Sequence, residues 1–296
     1  MTDITEHLIK RNDRYYFNTK SKSFSDSLKG LSVIEVCITE LCTRKCGFCP
    51  RSDSKVYPNK KLFMSSETIS NIGKQCQLHK FDGDFHFSGF GESLTHPEFF
   101  DLIKTLRNYL PENHIALTSN GDLLNDKRCG EIYDNGINHI IISCYDGPDA
   151  YDKFDKMLSK FNKSYEIRKL WTNPDESMDE MVVRNKFNNR SGAVSNIDFK
   201  NNKELFKNNP CYLPFYKLVI DYSGDILLCC NDWFRRHKGF GNINTTDLYS
   251  IWHSDEFKSI RSKLINGERT GPACSNCSIQ GDVIGLESAN ILNEKT

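Results

Sequence analysis

Long apolar runs are missing from this sequence. No stretch approaches the ~18 residues that would cross a bilayer. Met1–Arg14 are polar and charged, without the apolar segment of a secretory signal, so a cytoplasmic protein with no membrane partner is expected. An excess of charge of either sign is missing too. Lys plus Arg and Asp plus Glu both number 39, so no overall field draws the chain to nucleic acid, and none is expected as a partner. There is no internal repeat and no low-complexity tract, so the pattern has to be read unit by unit.

What the 296 residues do have is enough apolar content for a packed core, 38%, in one large domain or one of about 200 residues plus a smaller one. They also have twelve cysteines. Disulfides are disfavoured in the cytoplasm, so clustered cysteines there point to metal. Cys42, Cys46 and Cys49 form one group, and Cys211, Cys229, Cys230, Cys274 and Cys277 a second. Cys37, Cys76, Cys129 and Cys144 are isolated and read as small buried hydrophobes.

From residue 32 a βα alternation begins. Strands are expected at 32–41, 84–88, 114–119, 139–144 and 165–171. Helices are expected at 65–78, 97–109, 125–135, 149–161 and 176–187. This order implies an α/β fold with a parallel sheet and helices outside it. Five or six units favour an open partial (β/α)6 TIM-like barrel over a closed eight-fold one. Asn occurs eight times in 185–210, and a last barrel strand is expected near 197–199, followed by a linker. After Pro210 a β-hairpin is expected over 216–230, turning at Asp221–Gly224. An amphipathic helix over 247–265 follows, and then Cys274-Ser-Asn-Cys277. The expected organisation is an N-terminal extension (1–31), the partial barrel (32–205) and a small hairpin-plus-helix iron–sulfur domain (206–296).

Cys42-Thr-Arg-Lys-Cys46-Gly-Phe-Cys49 is a C-x3-C-x2-C element directly after the first expected strand, where α/β barrels gather functional residues. Three thiolates on a short loop can bind three irons of a cubane, leaving the fourth iron open to a small molecule. The element resembles the motif of the radical S-adenosylmethionine (SAM) superfamily, with the preferred aromatic Phe48 before the last cysteine. Other elements of that family follow in order. Gly89-Phe-Gly-Glu92, after the second strand, resembles the family's Gly-Gly-Glu element. In it the glycines permit close backbone approach and Glu92 can accept from the amine of SAM. Ser119-Asn120-Gly121 and Ser143-Cys-Tyr-Asp-Gly147 resemble the polar turns that meet the carboxylate or ribose of SAM. Arg168, Arg184 and Arg190 are candidates for the carboxylate.

The resemblance implies reductive cleavage of SAM to a 5′-deoxyadenosyl radical that takes a hydrogen atom from substrate. It also implies a flavodoxin- or ferredoxin-type electron donor. The C-terminal spacing resembles the SPASM/twitch auxiliary-cluster domains and is most similar to twitch-type aminocyclitol dehydrogenases. Cys211, then Gly224-x4-Cys229, then Cys274-x2-Cys277 implies one auxiliary [4Fe-4S] cluster beside the SAM-binding [4Fe-4S] cluster. A zinc knuckle with four cysteines is the bland alternative. A fully ligated cluster suits electron transfer, which favours two-electron oxidation of a small carbohydrate- or aminocyclitol-like molecule. Adjacent strand residues face opposite ways, so Cys230 is expected to face away from the cluster. There its thiol could return a hydrogen atom to a substrate radical, making epimerisation or peptide modification the rival reading. Asp232 and Trp233 are candidates to line the substrate cavity. An iron–sulfur electron carrier is the remote alternative, and the Gly89–Glu92 element argues against it.

Overall fold

A computed structural model describes residues 27–185 and 187–293, apart from the side chains of 182–184. Most of the expected N-terminal extension and the Arg184 side chain lie outside the described residues.

The five expected parallel strands form β1 (Val33–Val36), β2 (Asp84–Phe87), β3 (Ile115–Ser119), β4 (His139–Cys144) and β5 (Ser164–Lys169). Between them run α1 (Ser66–Leu78), α2 (Phe99–Tyr109), α3 (Asp126–Asp134) and α4 (Pro148–Leu158), with α5 (Met178–Arg184) after β5. Local chemistry sets the helix starts. Ser65 accepts a hydrogen bond from the Thr68 amide and Asn125 from the Arg128 amide, and Pro148 opens α4, where its missing N–H costs nothing.

The sheet continues past β1, not past β5. The hairpin strands β6 (Lys217–Ile220) and β7 (Ile226–Leu227) complete an open sheet in the order β5-β4-β3-β2-β1-β6-β7. β6 lies parallel to β1, with Val33 opposite Lys217 and Val36 opposite Ile220. This corrects the expected sixth strand near 197–199. That stretch holds a 3-10 turn at Arg190–Gly192 and helix α6 (Lys200–Phe206). Its asparagines bond to backbone instead of supporting a ladder: Asn189 Nδ2 donates to Asn276 O, and Asn188 Oδ1 accepts from the Arg190 amide. The fold class is therefore α/β with a partial barrel, and its sixth parallel strand comes from the hairpin.

The hairpin turns where expected. Asp221 Oδ1 accepts from the Ser223 amide, and Gly224 sits at φ 86° with its amide on Asp221 O. After α7 (Leu213–Tyr216), the expected helix over 247–265 is split into α8 (Leu248–Trp252) and α9 (Asp255–Leu264). Ser254 caps the second by accepting from the Phe257 amide. A final helix, α10 (Leu286–Asn293), packs on α7.

Strand alternation divides the sheet's two faces. Ile34, Val36, Phe85, Phe87, Leu117, Ile140, Ile142, Leu218 and Ile220 point outward into the main core beneath the helices. Cys76, Cys129 and Cys144 are buried there as expected, while Cys37 is buried on the inner side beside Phe90. Glu35, His86, Thr118, Glu166, Arg168 and Lys217 line the barrel's inner cavity. No helix among the described residues is long and apolar enough to cross a membrane.

β6 is pinned to β1 by a buried ion pair, with Lys217 Nζ 2.6 Å from Glu35 Oε2. Lys217→Met should destabilise the protein by about 3–5 kcal/mol by stranding a buried carboxylate, whereas replacing both residues by Met should cost far less. Urea unfolding followed by circular dichroism measures both.

Candidate active site

At the C-terminal ends of the strands, Cys42, Cys46 and Cys49 line a cavity of about 140 Å³. Phe48, Gly89, Gly91, Glu92, Ser119, Asn120 and Ser143 line it too, so the structure brings these candidates together. The cysteine loop is held by backbone recognition. Asn59 Oδ1 accepts from the Cys42 amide and its Nδ2 donates to Cys42 O. Burial, then the neighbouring Cys49 and Cys42, push the Cys46 thiol up to about 12. Such thiols ionise only when a cation is supplied, which is the chemistry of an iron-binding donor set.

The glycines stand where a side chain does not fit. A Cβ on Gly89, at φ 108°, would meet Cys37 Sγ at 2.0 Å, and one on Gly91 would meet Thr39 O at 2.5 Å. Glu92 is buried, and burial raises its pKa. Its Oε1 accepts from Ser119 Oγ and the Leu94 amide, and its Oε2 from the Asn120 amide. The carboxylate therefore ties the loop after β2 to the loop after β3 as well as facing the cavity. Asn120 Nδ2 donates to Thr43 Oγ1 at 2.8 Å, joining that loop to the cysteines. Phe48 stacks on Phe187 at 4.4 Å and tilts against Tyr145 at 5.5 Å.

Two arginines absent from the expectations organise this cavity. Arg44, inside the C-x3-C spacing, bridges Asp122 after β3 and Asp146 after β4, and those bonds hold the Asp146 carboxyl below its usual range. Arg51, almost fully buried, donates to Phe90 O at 2.7 Å and to Glu40 Oε2 at 3.0 Å. Glu40 also accepts from Tyr57 OH and from Arg235, whose Nε holds Asp221 in the hairpin turn.

The second cysteine set converges as well. Cys211, Cys229, Cys274 and Cys277 ring a small pocket walled by Leu213, Pro214, Leu228, Leu264 and Ile279. Burial raises the Cys211 thiol to about 11 and the Cys274 thiol to about 12. Arg269 stitches the cysteine-bearing segments together, donating to Asn209 O, Pro210 O, Ile279 O and Gln280 O.

Adjoining the upper cavity is the barrel cavity of about 500 Å³. It shares Ser88, Gly89, Thr118, Arg190 and Trp233 with the upper cavity, and these form a seam. Cys230 lines the barrel cavity while Cys229 lines the thiol pocket; the two face apart as expected, but in the turn after β7, which ends at Leu227, and not within a strand. Trp233 lines it as expected. Asp232 is not among its lining residues and instead accepts from the Arg236 and His237 amides.

The radical SAM superfamily model matches residues 36–170, and the iron–sulfur cluster-binding domain model of the SPASM type matches residues 211–278. The chain is a radical SAM enzyme with a SPASM domain. It is 28% identical over 251 residues to the S-adenosyl-L-methionine-dependent 2-deoxy-scyllo-inosamine dehydrogenase of Niallia circulans, covering 84% of this chain and 94% of that one. A GTP 3′,8-cyclase of Microcystis aeruginosa is 27% identical over 142 residues, 48% of this chain and 42% of the cyclase. The crystal structure of BtrN in complex with AdoMet and 2-DOIA superposes with a TM-score of 0.68 at 25% identity, covering 84% of this chain and 95% of BtrN. SuiB of Streptococcus suis bound to precursor peptide SuiA, at 14% identity and a TM-score of 0.57, shares the fold, covering 98% of this chain and 77% of SuiB.

Of the arginines considered for the SAM carboxylate, Arg168 lies in the barrel cavity 3.4 Å from Glu166 and is not among the upper cavity's lining residues. Arg190 lines both cavities and donates to Asn231 Oδ1 at 3.0 Å. In this radical SAM enzyme Gly89→Ala should cost on the order of 3 kcal/mol, from the positive φ and the clash together. It should also abolish SAM binding, read by calorimetric titration of the reconstituted protein.

Proposed function

We propose that this enzyme dehydrogenates a secondary alcohol of a small cyclic polyol, with an aminocyclitol as the substrate class. The observation that carries the reading is the polar barrel cavity, which meets the cysteine-lined upper cavity at a seam and carries Cys230 on its wall, next in sequence to Cys229 of the second set. Cys42, Cys46 and Cys49 are assigned to the SAM-binding cluster, and Cys211, Cys229, Cys274 and Cys277 to the auxiliary one. Gly89, Gly91, Glu92, Ser119, Asn120 and Ser143 are assigned to SAM, with Phe48 packing beside it. When bound, SAM and the two clusters supply a radical oxidant and an electron acceptor, so that the alcohol loses a hydrogen atom, a proton and an electron to become a ketone.

The chain's own residues hold the substrate and take its proton. Glu35, Glu166, Arg168 and Lys217 offer acceptors and donors that match a ring bearing hydroxyl and amino groups. His86 Nε2 lies 2.8 Å from Thr118 Oγ1, a seam residue, which makes the pair the candidate proton acceptor. The similarity to 2-deoxy-scyllo-inosamine dehydrogenase across nearly the whole of that protein supports the same substrate class. A flavodoxin- or ferredoxin-type protein is the proposed electron donor. The Cys230 thiol on the same cavity supports a second reading, in which it returns a hydrogen atom and the outcome is epimerisation.

Anaerobic reconstitution should give about eight irons, and the Cys42→Ala/Cys46→Ala/Cys49→Ala variant about four. Four irons plus zinc in the wild type would remove the second cluster and the oxidation argument with it. With SAM, dithionite and 2-deoxy-scyllo-inosamine, 5′-deoxyadenosine and a ketone should form in equal amounts. In deuterated water, deuterium at a retained C–H that disappears in Cys230→Ala would establish epimerisation instead.

A further inference from the structure

The asparagine-rich stretch after α5 forms no barrel strand, and of it only Arg190 lines the upper and barrel cavities. Residues between Asn189 and Lys203 line a separate surface groove of about 490 Å³. Two of its asparagines are tied to the two cysteine sets. Asn196 Nδ2 donates to Gly47 O at 2.7 Å, inside Cys46-Gly-Phe-Cys49. Asn189 Nδ2 donates to Asn276 O at 2.7 Å, inside Cys274-Ser-Asn-Cys277. The Asn189 amide also donates to Ser278 Oγ at 2.8 Å, and its Oδ1 accepts from the Ser278 amide at 3.0 Å. Lys203 Nζ lies 3.3 Å from Asn276 Oδ1, on the same turn. Beneath the groove, Val194, Ile197 and Phe199 pack in one cluster with Phe48, the neighbour of Cys49. Both cysteine turns therefore abut this one stretch of surface.

We propose that the groove is the docking face of the electron carrier, and that one carrier bound there serves both cysteine sets. The proposal rests on the dehydrogenase reading with its flavodoxin- or ferredoxin-type donor, and says where that donor sits. Seven residues separate Asn189 from Asn196, so their Cα atoms lie at most about 25 Å apart. A transient redox contact covers about 600 Å² on each partner, a patch roughly 28 Å across, so one small carrier spans both anchors. Ser195, Asn196, Asp198 and Lys200 are exposed, giving the polar surface of a contact that has to release. Lys200 and Lys203 supply positive charge. Asp198 is the one acid among the groove's described residues, and its Oδ1 accepts from the Lys200 amide. A carrier with an acidic face around its redox group is the complementary partner. The electrons balance on a shared face. One electron enters at Cys42, Cys46 and Cys49 as the S–C5′ bond of SAM breaks. The radical so formed takes a hydrogen atom from the alcohol carbon, and the ketone forms as the hydroxyl proton and one electron leave. That electron exits by way of Cys211, Cys229, Cys274 and Cys277 to the carrier, so a turnover consumes no net reductant.

The test uses the reconstituted full chain, with flavodoxin and, separately, a [2Fe-2S] ferredoxin as carriers. Lys200→Glu/Lys203→Glu should keep about eight irons and the wild-type thermal midpoint. Its stopped-flow reduction by pre-reduced carrier should be roughly tenfold slower at low salt, and the difference should shrink at high salt. The return step is read in the Cys42→Ala/Cys46→Ala/Cys49→Ala variant, reduced with titanium(III) citrate, desalted and mixed with oxidised carrier. Reversing the two lysines should slow its re-oxidation by a similar factor. Lys74→Glu/Lys104→Glu, the same charge change on exposed positions of α1 and α2, should alter neither rate. If Lys203→Glu costs iron or lowers the midpoint, Ser195→Glu/Lys200→Glu replaces it and must show the same slowing. Unchanged reduction would place the donor elsewhere. Slowed reduction with unchanged re-oxidation would mean two separate faces, and an equal effect at Lys74 and Lys104 would mean net charge alone. A wild type that neither carrier reduces, or whose second set neither carrier re-oxidises, would remove the partner. Each of these overturns the proposal. Failure of the dehydrogenase reading shows separately, as SAM cleavage by dithionite without ketone while both carrier rates still respond to the lysines.

Discussion

Glu40 is the point on which two separately arriving segments close. Its carboxylate takes Arg51 from the turn after the first cysteine group, Tyr57 from further along that loop, and Arg235 from beyond the hairpin. Each arginine carries the link onward, Arg51 to the glycine loop through Phe90 O and Arg235 to the hairpin turn through Asp221. A buried charge network tolerates no missing member, because a stranded ion in a low-dielectric interior costs more than any one bond returns. The relative placement of the cysteine loop, the glycine loop and the hairpin turn is thus fixed jointly.

One sheet serves two environments. Its outer face is aliphatic and aromatic and carries the stability, while its inner face is charged and hydroxylated. β2 shows the arrangement in four residues, with Phe85 and Phe87 in the core and Asp84 and His86 on the cavity. The ordinary cost of polar groups inside a protein is met here by pairing them: Glu35 with Lys217, His86 with Thr118, Glu166 with Arg168.

The parts of the site legible in the sequence were those whose chemistry is local. Cys42, Cys46 and Cys49 lie within one loop, Cys274 and Cys277 within one turn, and the glycines and Ser119–Asn120 directly after strands. The helix break at Ser254 was legible too, since Ser-Asp-Glu there is a helix start, but the longer apolar stripe masked it. Arg51 and Arg235 could not be read, because Glu40 lies 11 residues from one and 195 from the other and no periodicity links them. The placement of β6 escaped for a related reason. Strand pattern says which face is buried but not which edge a neighbour joins, so Ile197–Phe199 reads as a sixth strand in the sequence although β6 comes from the hairpin.

That placement has a consequence for how the molecule is made. Glu35 on β1 and Lys217 at the start of β6 are 182 residues apart in sequence. At synthesis rates of 5–20 residues per second, roughly 10–40 s separate their appearance at the ribosome. For that interval the nascent barrel carries an open strand edge, the feature most prone to pairing with the wrong partner. The edge is covered only when the hairpin emerges with Cys211 and Cys229 on either side of it, so the last wall of the barrel and the first half of the second thiol set arrive in the same folding event.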